Sequence, residues 1–134
     1  MPKIEWTPEH SVNVKIIDDQ HKYFIGIINE LYEAVYNLNL KKALGHIIDE
    51  LASYGAFHFA TEEKYFDLYS YEGAVEHKAQ HQEMTQKIVS FSDRFKKGED
   101  ITSELIDFLE DWLVVHIDTY DKKYTKCFND HGLF

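Results

Sequence analysis

The chain has 134 residues, 44% of them apolar, and a formal charge of −10 at pH 7. That size suits one domain able to fill its own core, and the acidity excludes a phosphate-backbone partner, because nucleic-acid affinity comes largely from Lys and Arg; the charge suits at most a basic partner protein. The single cysteine, Cys127, excludes an internal disulfide framework, and neither the opening MPKIEWTPEH nor any later stretch approaches the ~20 apolar residues of a membrane span, so the expectation is a cytoplasmic protein with no membrane insertion.

Residues 1–17 read as an N-terminal arm. From Asp18, a candidate N-cap, to Leu38 the apolar positions Phe24, Ile28, Leu31, Tyr32 and Val35 recur with helical spacing. After the turn residues Asn37 and Asn39, a second helix runs through Leu44, Ile47, Ile48 and Leu51 to Tyr54, His58 and beyond. A third follows YSYEG, with its stripe at His77, His81, Met84, Ile88, Phe91 and Phe95 and its close at Lys96, Lys97 and Gly98. Behind Asp100 or Thr102 as cap, Leu105, Phe108, Leu109, Trp112 and His116 mark a fourth. No strand alternation of comparable length occurs.

Short connections favour antiparallel neighbours. The expected fold is therefore all-α, an antiparallel up-down-up-down four-helix bundle over 18–122 with a C-terminal segment at 123–134, all in a single domain of 1–134. In that topology the start of the first helix, the end of the second, the start of the third and the end of the fourth share one end of the bundle. His21, His58 with Glu62, His77 with His81, and His116 then meet there. His46 and Glu50 form another His-x-x-x-Glu pair, but His46 precedes His58 by 12 residues, about 18 Å along the helix and a third of a turn round. His10 and His131 fall in the terminal arms.

Side chains four apart share a helix face, so His77 with His81, and His58 with Glu62, can each grip one ion. Five core histidines and a glutamate at one end would each need a hydrogen-bond partner, and metal ligation satisfies them together. One octahedral ion takes about six donors; His21, His58, Glu62, His77, His81 and His116 with one more carboxylate make seven residues, so two metals are implied. Carboxylates can bridge paired ions. Helix geometry leaves the last carboxylate open: Asp118 faces away, Tyr120 faces inward with the wrong chemistry, and Asp121 would need a local widening such as a π-turn.

The whole chain resembles the hemerythrin family in its single-domain bacterial form. The likeness rests on Trp6 in the arm, IDDQH at 17–21, HFATE at 58–62, HKAQH at 77–81 and WLVVHIDTYD at 112–121, in that order and spacing. The family pattern ends in H-x-x-x-x-D, which His116 and Asp121 match. The resemblance implies two iron ions, one held by His77, His81 and His116 and the other by His21 and His58, bridged by Glu62, Asp121 and an oxo or hydroxo group. It also implies an apolar oxygen pocket at Phe59, Trp112, Leu113 and Ile117, residues that serve equally as core.

The function expected is reversible dioxygen binding for carriage, storage or delivery by a monomer that is not an enzyme, with a basic acceptor protein as a candidate partner. Mostly neutral imidazole ligands support high-valent iron less well than the carboxylate sets of ferritin-like oxidases, which disfavours O–O cleavage. The alternatives are a sensor of oxygen, nitric oxide or redox state that acts through a separate partner, and a di-iron peroxidase or oxidase.

Overall fold

The computed structural model describes residues 3–134; the first two residues of the expected arm lie outside them. Four long helical segments form the bundle: α1 (Lys15–Ala34), α2 (Leu40–Leu68), α3 (Ala74–Lys96) and α4 (Thr102–Asp111). The chain continues from α4 through a π-helical stretch at Trp112–Tyr120 and a 3-10 turn at Asp121–Tyr124 into α5 (Thr125–Asp130). No strand occurs among the described residues. α1 packs on α2 and α4, and α2 packs on α3, the neighbour pattern of an up-down-up-down bundle.

Both ends of α1 differ from the periodicity, and the N-cap of α4 is Ile101, between the two expected residues Asp100 and Thr102. Helix α1 begins early, at Lys15 with Val14 rather than Asp18 as its N-cap, and Asp18 lies in its first turn. Its carboxylate reaches back instead, accepting from the Val12 amide at 2.8 Å and the Ser11 hydroxyl at 2.6 Å, so it orders the entering arm rather than the helix end. The same helix stops at Ala34, short of Leu38, where the Asn37 side chain accepts from the Asn39 amide at 2.8 Å and turns the chain. The end of α3 follows expectation. Gly98 takes φ +89°, its amide bonds Phe95 and the Glu99 amide bonds Arg94, the paired bonds of a left-handed helix stop.

The core has two parts. The main cluster fills the bundle from Phe24, Leu31 and Leu51 to Leu105 and Leu109. A smaller one of Val12, Val14, Ile17, Phe66, Tyr124 and Phe128 closes the end at which α1 begins, with α5 and the arm supplying the lid. Between the two apolar clusters lies a layer of buried polar side chains.

Candidate metal centre

That layer consists of His21 on α1, His58 and Glu62 on α2, His77 and His81 on α3, His116 in the π-helical stretch and Asp121 just beyond it, each at most 3% exposed. The seven expected residues are all brought together. Ligand-type atoms of Glu62, His77, His81 and His116 lie within 4.8 Å of one another, as do those of His21, His58, Glu62 and Asp121. Glu62 belongs to both groups. Asp121 spans them too, with Oδ1 2.8 Å from His77 Nε2 and 3.0 Å from His116 Nε2, and Oδ2 3.0 Å from His21 Nε2. Glu62 Oε1 stands 3.1 Å from Nε2 of both His58 and His81.

The π-helical stretch decides which carboxylate arrives. On an ideal α-helix Asp121 would point well away from His116, but i to i+5 bonding widens the turn and stacks residues five apart. The Asp121 amide bonds the His116 carbonyl in that register. Asp118 turns outward, where the His10 ring meets its carboxylate at 3.0 Å and Trp6 packs on His10.

The histidines are oriented from behind. His58 Nδ1 donates to Gln20 Oε1 at 2.5 Å, His116 Nδ1 to Gln80 Oε1 at 2.6 Å and His81 Nδ1 to Glu63 Oε2 at 2.9 Å. Gln20 is itself held through its amide nitrogen by Thr61. An amide or carboxylate oxygen accepts, so Nδ1 carries a hydrogen, and whenever such a ring is neutral its Nε2 presents a lone pair to the carboxylates. Two lone pairs facing each other near 3 Å need a positive centre between them. Hydrogen bonds of good geometry do not supply it: Nε2 of His21, His77, His81 and His116 and all four oxygens of Glu62 and Asp121 have none. Orphaned donors and acceptors of this kind, aimed into one space, fit a pair of metal ions, and the nitrogen–oxygen set is one that divalent transition metals accept.

Electrostatics agree. Burial and the neighbouring Asp121 push the Glu62 carboxyl up, but the imidazoles of His58 and His81 outweigh them and hold it well below the usual carboxylate range. Burial also opposes the charge of Asp121, and His116, His21 and His77 hold its carboxyl well below normal. His21 and His81 are pulled down by burial, yet Asp121 and Glu62 respectively raise both. At His58 burial wins and the value falls. Without metal the cluster is neutralised by protons, which an entering metal displaces.

The four pocket residues border this layer on the core side. Phe59 stacks on His81 at 4.0 Å and Trp112 on His116 at 3.9 Å, while Leu113 and Ile117 are buried in the main core. The remaining histidines stand apart: His46 is exposed beside Glu50 and Glu30, and His131 stacks on Tyr69. Sequence reasoning missed Gln20, Gln80 and Glu63. Each adjoins a cluster residue, and Gln-His occurs at both 20–21 and 80–81; a residue one place before an inward histidine faces the neighbouring helix, which is the signal that was there to read. It also missed Tyr124, which enters from the 3-10 turn with a fully buried hydroxyl.

A profile of the hemerythrin HHE cation binding domain matches residues 12–127. The chain is similar to the bacteriohemerythrin of Stenotrophomonas maltophilia, 31% identical over 98% of this chain and 85% of that one. It is likewise similar to that of Methylococcus capsulatus, 32% identical over 95% of this chain and 98% of that one. A crystal structure of wild-type hemerythrin superposes with a TM-score of 0.86 at 30% identity, covering 94% of this chain and 98% of its own. Profile, relatives and bundle agree, and the chain belongs to the hemerythrin family, which binds dioxygen at a di-iron centre.

Proposed function

We propose that this protein binds dioxygen reversibly at two iron ions, for carriage, storage or delivery, and is not an enzyme. His77, His81 and His116 would hold one ion and His21 and His58 the other, with Glu62 and Asp121 within reach of both groups. The observation that carries the assignment is the three-to-two division of imidazoles around two carboxylates that each reach both groups. When bound, the irons supply the redox-active pair at which dioxygen is held.

The chain's own part is to orient, to exclude water and to limit protons. Gln20, Gln80 and Glu63 fix three imidazoles through Nδ1, as outer partners of metal-bound histidines do. Phe59, Trp112, Leu113 and Ile117 make the ligand side apolar, which slows protonation of a bound ligand and its loss in altered form. Five neutral imidazoles against two carboxylates support binding over turnover. No described helix is long and apolar enough to cross a membrane; the proposed setting is cytoplasmic and the proposed state a monomer, and the charge of −10 suits a basic acceptor protein.

The test is to load the protein with iron, reduce it without air, admit air and record visible spectra over repeated cycles. A band that appears with air and vanishes on degassing supports carriage. Loss of colour in the first cycle with no return supports sensing or redox turnover instead, and a preparation that holds fewer than two equivalents of metal removes the reading altogether.

A further inference from the structure

Tyr54 lies on α2 one turn before His58 and is only 8% exposed. Its ring is nearly parallel to the His58 imidazole, with planes 12° apart and centroids 5.3 Å apart. Tyr23 stacks with it as well, at 5.8 Å and 15°, so a column of flat rings runs from the surface to a residue of the metal layer. Phe24 packs beside it at 5.7 Å. Phenylalanine would fill this space as well as tyrosine does, and the hydroxyl is the part that needs an account.

That hydroxyl is buried and has no hydrogen-bond partner. Unpaired buried oxygens are destabilising and uncommon. Its direction is informative. The residue keeps 8% exposure while its hydroxyl oxygen is shut off from solvent, so the oxygen is not the exposed edge of the ring, and Glu50, on the outer side, is taken by the Tyr23 hydroxyl at 2.7 Å. A phenol's ordinary pKa is about 10, so the hydroxyl keeps its proton at neutral pH and remains a donor. The lining at Phe59, Trp112, Leu113 and Ile117 supplies no O–H; of the two described phenols whose buried hydroxyls lack a partner, Tyr124 packs on His77 and Tyr54 on His58.

Resting on the di-iron reading above, we propose that Tyr54 is a binding residue of the ligand pocket: its hydroxyl donates a hydrogen bond to a small ligand carrying negative charge on the His21 and His58 side, and favours such ligands over uncharged ones. The hydroxyl waits unpaired until the ligand arrives. Hydrogen bonds to charged acceptors are the strong ones, and in a dry pocket a single donor has a large share in what binds.

The experiment compares the iron-loaded full chain with Tyr54→Phe, using azide as the small anion. Iron content is measured first, then the azide dissociation constant from the visible spectrum and the azide stretching frequency in H2O and in D2O. Both proteins are expected to carry two equivalents of iron. The variant is expected to bind azide about tenfold more weakly, the factor one charge-assisted hydrogen bond contributes. The D2O shift of the azide stretch is expected in the parent and absent in the variant. With iron removed, the variant should melt at or above the parent temperature, since the lost oxygen had no partner; a fall there counts against the proposal. Full iron content with equal azide constants and equal isotope shifts overturns the role of Tyr54 and leaves the metal assignment standing, whereas a parent protein that holds no iron overturns both.

Discussion

His58 and His46 sit on the same helix, each four residues before a glutamate, yet one is buried with its Nδ1 held by Gln20 and the other is exposed beside Glu50. His58→Ala is expected to abolish the air-dependent band and to lower bound iron from about two equivalents toward one, because its Nε2 serves the site with only two imidazoles. His46→Ala should leave both unchanged, and iron analysis with a visible spectrum compares the pair. The buried carboxylates also set a pH dependence for the metal-free protein. Glu62 and Asp121 have folded values below the ordinary carboxylate range, so their stabilisation is full above about pH 4 and is lost as the pH falls toward those folded values. His21 and His81 have raised values, so theirs is full below about pH 6.5 and is lost as the pH rises through the folded values. Thermal melts of the metal-free protein should peak between these limits. Iron loading should flatten the alkaline side, since the metal takes the place of the protons.

The π-helical stretch at Trp112–Tyr120 is the element on which the site depends. It inserts one residue into the helical turn and thereby changes Asp121 from an off-face residue into the carboxylate that reaches three imidazoles. Such a turn gives up regular α-helical bonding, and its surroundings hold it: His10 meets Asp118, Lys122 bonds the Glu9 carbonyl, and the Thr125 hydroxyl bonds the Val12 carbonyl at 2.7 Å. The end of α3 supplies a contrast, an element boundary with no part in the site. Gly98 has φ +89° and open space around the position of a Cβ, so the cost of Gly98→Ala is purely backbone strain, about 1 kcal/mol. Denaturant melts should show that loss, and iron content should not change.

Across the whole bundle the metal layer joins what hydrophobic packing leaves separate. It lies between the main core and the smaller terminal cluster, and α1, α2, α3 and the π-helical stretch that continues α4 contribute to it, with Asp121 just beyond. Without metal, two buried carboxylates face five imidazoles with no well-formed hydrogen bonds at most of the opposed atoms. Chelation should therefore lower the melting temperature by about 10 °C or more, as expected when a ligand present at a large excess over its dissociation constant binds only the folded state. Calorimetry before and after chelation, with iron restored, measures the difference.

The bundle, its polarity and six of the seven residues of the layer were legible from order and periodicity. A 3.6-residue repeat states which face is inward, and the alternation of helix direction states which ends meet. Asp121 was not legible from helix geometry, and only the resemblance to a family pattern pointed to it. Its inward turn depends on a π-register stabilised by an arm more than a hundred residues away in the chain. Gln20, Gln80, Glu63 and the Tyr54 hydroxyl belong to the same class of fact. Each matters through what stands opposite it on another helix, and a one-dimensional pattern of apolar positions carries no information about that partner.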